Sequence, residues 1–398
     1  MNAPATTPLR IGVLGLGRIG IMHARNLAQE PGVGTLVLIG RSQDKLDAAQ
    51  AELATALAPG APAEIAGALA PSDVEAPRIE TRIMSQGAWT DGLDGVVIAT
   101  STGTHPELAE QAAAAGVPQL LEKPLGLDLE HTADLAARLE AHGTPIMVAF
   151  HRRYDQGYQE LRRQVRAGEL GLVRQVAAVD HDHYHVTPDY IPTSGGIWRD
   201  LVIHDFDVIP WILGEEPVSV YASGSVLDRP DYADHGDLDT ATAVVTFASG
   251  VQAVVAAGRR IGTGQHVDAT VYGSEAVAAA GYDEKTPVSS TEPYGPVPAS
   301  THDEFVNRFE PAFRREAAHF LKLVRGEAES LTPPSAGVTA SRLALAAEES
   351  VATGRTVFLD RDARSNRPAG SAREGGTTPP DHSASGTENS ENTEGATA

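Results

Sequence analysis

The sequence predicts an α/β fold in two parts. Three observations carry this: a strand running directly into a glycine turn and a helix over residues 9–28, strands alternating with helices up to about residue 125, and, beyond Val173, β-branched runs separated by Gly, Asp and Ser turns. Residues 1–125 read as a parallel sheet flanked by helices. Residues 126–362 read as an α/β domain with a large, open, mostly antiparallel sheet. The stretch 363–398 is Ser, Gly, Thr, Pro and Glu with almost no apolar content, so a disordered acidic tail is expected.

A chain of 398 residues with 41% hydrophobic content can bury two cores. No stretch approaches the apolar length needed to span a bilayer, and residues 1–8 lack the basic and apolar regions of a signal peptide, so the cytoplasm is the expected location. The chain has no cysteine, which leaves His, carboxylates, Lys or a cofactor to carry any chemistry. A net charge of -22 argues against nucleic acid and anionic membranes as partners, although Glu374, Asp381, Glu388, Glu391 and Glu394 place part of it in the tail.

The apolar run 9–14 leads into Gly15-Leu16-Gly17-Arg18-Ile19-Gly20 and then the helical pattern Ile21, Met22, Ala24, Leu27. The first glycine permits a tight turn, the second admits a pyrophosphate to the backbone, and the third lets helix and strand pack; dinucleotide binding through residues 15–20 is therefore expected. The second strand, 35–39, ends in Gly40-Arg41-Ser42. An NAD-preferring domain usually carries an acid here for the ribose hydroxyls, whereas Arg41 and Ser42 suit a 2′-phosphate, so NADP is favoured with NAD as the alternative. Residues 44–57 form an alanine-rich helix, and 58–77 read as a surface insertion. After the strands 78–84 and 95–100 comes a polar turn in which Thr100, Ser101, Thr102 and His105 are expected to line the cofactor; an ordinary N-capping turn explains the same residues. The strand 118–121 ends in Glu122-Lys123-Pro124. A lysine at the carboxyl end of a sheet strand, beside the nicotinamide position, could polarise a hydroxyl or carbonyl oxygen.

Beyond a helix at 127–142 and a strand at 146–150, His151-Arg152-Arg153-Tyr154-Asp155 opens the helix 156–167. The strand from 173 extends into His181-Asp182-His183-Tyr184-His185, whose three histidines share a face if the chain stays extended. With Asp200 and His204 they could hold zinc, but a hydrogen-bonding wall or plain structural histidines explain them too, and no metal is expected. Residues 195–207, Gly-Gly-Ile-Trp-Arg-Asp-Leu-Val-Ile-His-Asp-Phe-Asp, read as one helix carrying Asp200, His204 and Asp207 in a single stripe. A carboxylate and an imidazole at i, i+4 suit a general base. Water-facing acids on an amphipathic helix are the plainer reading. Strands come next at 218–226, 240–248, 251–258 and 266–272, then an unassigned irregular segment at 281–306, and helices at 311–326 and 335–353.

The glycine turn, Glu122-Lys123-Pro124 and residues 195–207, in that order, resemble the Gfo/Idh/MocA oxidoreductases, most of all their inositol 2-dehydrogenase branch, over residues 9–359. The resemblance implies a nucleotide domain followed by a substrate domain whose open sheet face often serves in homodimers or homotetramers. It implies an NAD(P)-dependent oxidation of a secondary hydroxyl on a cyclitol or pyranose sugar, with His204 taking the proton, Asp200 orienting it or binding a neighbouring hydroxyl, and Lys123 steadying the alkoxide. Glu122 and Arg152 are then placed near the cofactor, and Lys123, Arg152, His183, Asp200 and His204 near substrate. A nucleotide or sugar sensor without turnover, and a redox-neutral sugar-cleaving enzyme that retains NAD, are the rivals.

Overall fold

The computed structural model describes residues 7–58, 76–85, 87–126 and 128–359. Most of the insertion expected at 58–77 and the tail expected to be disordered lie outside the described residues. Thirteen strands are described: β1 (Leu9–Leu14), β2 (Val33–Gly40), β3 (Arg78–Ile83), β4 (Gly95–Ile98), β5 (Gln119–Leu121), β6 (Ile146–Val148), β7 (Gln175–His181), β8 (Pro217–Ser225), β9 (Thr240–Phe247), β10 (Gln252–Gly258), β11 (His266–Tyr272), β12 (Val277–Ala280) and β13 (Val357–Phe358). The helices that position the site are α1 (Arg18–Leu27), α2 (Gln43–Ala56), α3 (His105–Ala114), α4 (Leu129–His142), α5 (Gln156–Arg166), α6 (Gly196–Asp200), α7 (Ile203–Leu213), α8 (Phe305–Val324) and α9 (Pro334–Thr353).

The first sheet is parallel in the order β3-β2-β1-β4-β5-β6. Its central strands are buried on both faces, which is why they read as continuous apolar runs. β6 belongs to this sheet, so the sheet runs to Val148 and the boundary expected at 125 falls inside it. The second sheet has the order β12-β11-β7-β10-β9-β8-β13 and is antiparallel except where β10 runs parallel to β7. One face alternates buried residues such as Val176, Ala178, Val220, Ala222, Val255 and Val271 against the helices; Tyr221 and Tyr272 stand exposed on the other.

Helix ends obey local chemistry. Asp128 caps α4 by accepting the His131 N–H at 2.9 Å, Asp155 caps α5, and Gly214 ends α7 in the left-handed region at φ 65°. α9 packs on α4, on β6 and on the second sheet, while α8 packs on α1 and on the turn at residues 151–154.

The single helix expected over 195–207 is broken. The carbonyl of Ile197 accepts from both Leu201 N–H at 3.1 Å and Val202 N–H at 3.0 Å, the second a five-residue turn, and α7 starts afresh at Ile203. One extra residue in a turn rotates the downstream residues by about 100°. Asp200 and His204 therefore leave the common stripe. Asp207 stays three residues from His204 on α7, but both its oxygens are taken by Arg153 at 2.9 and 2.6 Å.

Candidate active site

The glycine turn sits where β1 and β4 end. Gly15 has φ 97°, and a Cβ there would lie 2.4 Å from the Ala99 carbonyl oxygen; one at Gly20 would lie 1.8 Å from the Gly15 oxygen. Gly17 faces open space and its residue makes no side-chain cap, so the first N–H groups of α1, from Arg18, Ile19 and Gly20, point at an uncovered helix end. A pyrophosphate fits that cradle, since the first turn of α1 offers backbone donors that no side chain caps. Arg18 is exposed and lies 3.4 Å from Glu304. A cavity of about 380 Å³ borders the same turn, lined by Leu16, Gly17, Arg18, Met22, Glu304 and Phe313 among others. At the end of β2, Arg41 is exposed and Ser42 makes no side-chain capping bond to α2.

Of the polar turn after β4, Ser101 is exposed and Thr102 begins a short 3-10 turn, while the Thr100 hydroxyl accepts from Thr104 at 2.8 Å. His105 does not face a ligand as expected. Its ring is buried, with Nδ1 2.9 Å from the Pro124 carbonyl and Nε2 3.0 Å from that of Thr100, so it braces the Lys123-Pro124 turn against β4. Burial lowers its pKa against the pull of those two carbonyls. Glu122 is anchored to α1, with Oε1 2.8 Å from His23 Nε2.

Lys123 and Asp200 meet. Lys123 Nζ donates to the Asp200 backbone carbonyl at 2.7 Å and lies 3.4 Å from its Oδ1. Two further residues hold this carboxylate. Arg259 Nη1 donates to Oδ2 at 2.7 Å and the Tyr190 hydroxyl to Oδ1 at 3.0 Å. Burial would raise the Asp200 pKa, but the charges of Lys123 and Arg259 win and hold it below the usual value. Arg259 is fully buried and also reaches Asp237 at 3.2 Å, and Asp237 in turn accepts the Ile197 N–H at 2.7 Å. In the sequence the local signal for Arg259 is a cation directly after the apolar strand β10. Asp182, past the end of β7, accepts from Gln265 at 3.0 Å and is pushed up to about 7, first by burial and then by the Asp180 charge.

His204 makes no contact with Asp200 of the expected kind. Its partly exposed ring lies between His151, with centroids 4.8 Å apart, and Phe150 at 6.1 Å. Burial first, then the charges of Lys123, His151 and Arg152, keep it well below its ordinary pKa, so it is neutral at pH 7. A neutral imidazole within reach of a lysine's charge can accept a proton, while the ammonium stabilises negative charge on the oxygen left behind.

Arg152, expected near the cofactor and substrate, is held by protein partners. Its buried guanidinium is committed to Asp180 at 2.6 Å and Asp205 at 2.9 Å, which ties the turn at 151–154 to β7 and to α7. Two carboxylates share one cation there, so burial keeps Asp180 and Asp205 above the usual carboxylate range. The three histidines at and beyond the end of β7 diverge because the strand ends at His181. His183 bonds Asp303 at 2.9 and 3.2 Å, His185 bonds Asp228 at 2.8 Å, and His181 lies beside His266, so none is directed to Asp200 or His204 by its bonds.

This geometry has known counterparts. Residues 9–150 match the model of an oxidoreductase family with an NAD-binding Rossmann fold, and residues 158–279 match the GFO/IDH/MocA C-terminal domain. The chain is 33% identical over 351 residues to "Myo-inositol dehydrogenase Hyg17" of Streptomyces leeuwenhoekii, covering 87% of this chain and 98% of that protein. It is also 33% identical over 351 residues to an inositol 2-dehydrogenase of Rhizobium meliloti, covering 88% and 99%. Among solved structures, scyllo-inositol dehydrogenase from Lactobacillus casei with bound NAD(H) and scyllo-inositol superposes with a TM-score of 0.74 at 26% identity, over 89% of this chain and 99% of that one. With both halves matched in order and the parallel sheet, glycine turn and Lys123–Asp200 contact in place, the chain belongs to the Gfo/Idh/MocA family of oxidoreductases.

Proposed function

We propose that this protein is a dehydrogenase that oxidises a secondary hydroxyl of a cyclitol, inositol first, with a pyranose sugar as the next candidate. The observation that carries the proposal is Lys123, past the carboxyl end of β5, bonded to Asp200 and with its charge acting on the neutral His204. The inositol dehydrogenases among its relatives support the substrate class. His204 accepts the hydroxyl proton, Lys123 stabilises the alkoxide oxygen, and Asp200, kept ionised, accepts from a neighbouring hydroxyl. A bound nicotinamide dinucleotide supplies the hydride acceptor. Gly15 to Gly20 cradle its pyrophosphate, Arg41 and Ser42 favour a 2′-phosphate, and Ser101 and Thr102 border its path, so NADP is the proposed preference with NAD as the alternative. A cytoplasmic homodimer or homotetramer built on the open sheet face, where Tyr221 and Tyr272 are exposed, completes the reading.

The test is the rise in reduced-nicotinamide absorbance when the protein meets NADP or NAD with a panel of inositols and aldoses, alongside His204→Ala. A polyol-dependent rise abolished by His204→Ala is expected. A rise with NAD alone keeps the chemistry and removes the NADP preference. Reduction by no polyol, with nucleotide retained through purification, would move the sensor and redox-neutral readings ahead.

A further inference from the structure

A base that works through one ring nitrogen needs the other held in a defined state. In His204 the carboxylate expected to do this is turned away by the break after Asp200, and another group stands in its place. The His151 and His204 rings lie with centroids 4.8 Å apart at 63°. His151 is 4% exposed and fixed by the aromatic residues of α8, stacked on Phe313 at 4.4 Å and edge-on to Phe309 at 4.7 Å. Among the described residues, His151 Nε2 and His204 Nδ1 are both buried without a hydrogen-bond partner. Buried polar atoms rarely stay unpaired, and an imidazole pair can supply one donor and one acceptor by a small ring rotation.

We propose that His151 is the positioning residue for His204: its Nε2 accepts the Nδ1–H of His204 and so fixes the tautomer whose Nε2 carries the free lone pair. The proposal rests on His204 being the base in the reaction above. Lys123, Arg152, Arg308 and His23 face His151, and Lys123 and Arg152 also face His204, so both rings are neutral at rest and His151 serves as an acceptor. When the substrate proton arrives on His204 Nε2, the ring becomes an imidazolium and its Nδ1–H bond to His151 becomes charge-assisted. The contact is thus stronger in the transition state than before it, and appears in kcat more than in KM.

Two variants of the full chain test this. In His151→Met the volume is kept and the acceptor lost; in His151→Gln the amide oxygen can still accept. His151→Met is expected to lower kcat by about 10- to 100-fold with cofactor binding unchanged, and to move the acid limb of kcat/KM to lower pH, because an unsupported Nδ1–H makes Nε2 less basic. His151→Gln is expected to recover most of that loss. Nitrogen NMR of the protein labelled with 15N-histidine, assigned with His204→Ala, should show His204 as the Nδ1–H tautomer in the native chain and as a mixture in His151→Met. Equal losses in the two variants, or an unchanged tautomer in His151→Met, would overturn the pair and leave His151 as packing for Phe313. If the native chain oxidises no polyol while the tautomer still depends on His151, the pair stands and the proposed reaction is what fails.

Discussion

Replacing Arg259 by Met tests how the Asp200 carboxylate is kept in place. The guanidinium is fully buried and donates to Asp200 at 2.7 Å and to Asp237 at 3.2 Å, while the two carboxylates are only 15% and 5% exposed. Met fills a similar volume but leaves two buried carboxylates without their shared cation, Asp200 keeping only Lys123 at 3.4 Å. Removing one partner of a buried ion pair costs about 3–5 kcal/mol, a large share of the roughly 5–15 kcal/mol that holds a domain folded. Asp237 retains the Ile197 and Leu238 N–H groups, so most of the stranded charge is on Asp200. The loss should depend on pH with a defined sign. In the native chain burial is outweighed by Lys123 and Arg259, so the Asp200 pKa is depressed; its contribution is present above the unfolded value and is lost as pH falls through the folded one. In Arg259→Met the folded pKa rises above the unfolded value, so the native-minus-variant gap narrows on acidification from about pH 7 towards pH 4. Urea unfolding followed by tryptophan fluorescence across that range measures the gap, and Asp200→Asn in the variant background should restore part of the stability. A loss below about 1 kcal/mol, the size of an exposed pair, or a gap independent of pH, would refute the argument.

Three further outcomes are expected. Glu316 is buried, with both carboxylate oxygens unpartnered among the described residues, and burial followed by the Glu122 charge holds its pKa well above the usual value; Glu316→Met should stabilise the fold by about 1–3 kcal/mol. Because a raised folded pKa means stability lost as pH rises, thermal melts should show the larger gain at alkaline pH, and equal gains at all pH values would count against a buried carboxylate. Gly20→Ala places a methyl against the Gly15 carbonyl, so calorimetric titration should show dinucleotide affinity reduced by at least about tenfold, or about 1.4 kcal/mol; an unchanged Kd would mean the turn is not the cradle. Arg41→Ala should raise KM for NADP by about tenfold or more while leaving that for NAD unchanged, as expected for one lost charge-assisted contact, and equal changes for both would remove the NADP preference.

Legibility in the sequence tracked the range of the interaction. The glycine turn, the apolar strands of the first sheet and the alternating strands of the second were readable because sterics and side-chain periodicity act over a few residues. The place of Lys123 in the fold was readable because a residue at the carboxyl end of a parallel strand has its position set by the strand. The partners of His105, Arg152 and His183 were not readable, since each could equally face a ligand or a neighbour until Pro124, Asp180 and Asp303 came to meet them. The i, i+4 argument for Asp200 and His204 assumed a continuous helix, and one five-residue turn at Ile197 was enough to separate them.

The sequence by itself therefore determined the α/β class and the glycine turn, and it offered Lys123, Asp200 and His204 as site candidates, because these depend on local backbone chemistry and strand order. Tertiary structure alone decided their partners: Arg259 and Tyr190 on Asp200, His151 beside His204, and Arg152 locked between two carboxylates. Those contacts join residues 10 to 59 positions apart, and burial gives them their strength, which is a property of the folded interior and leaves no mark on the spacing of the residues along the chain.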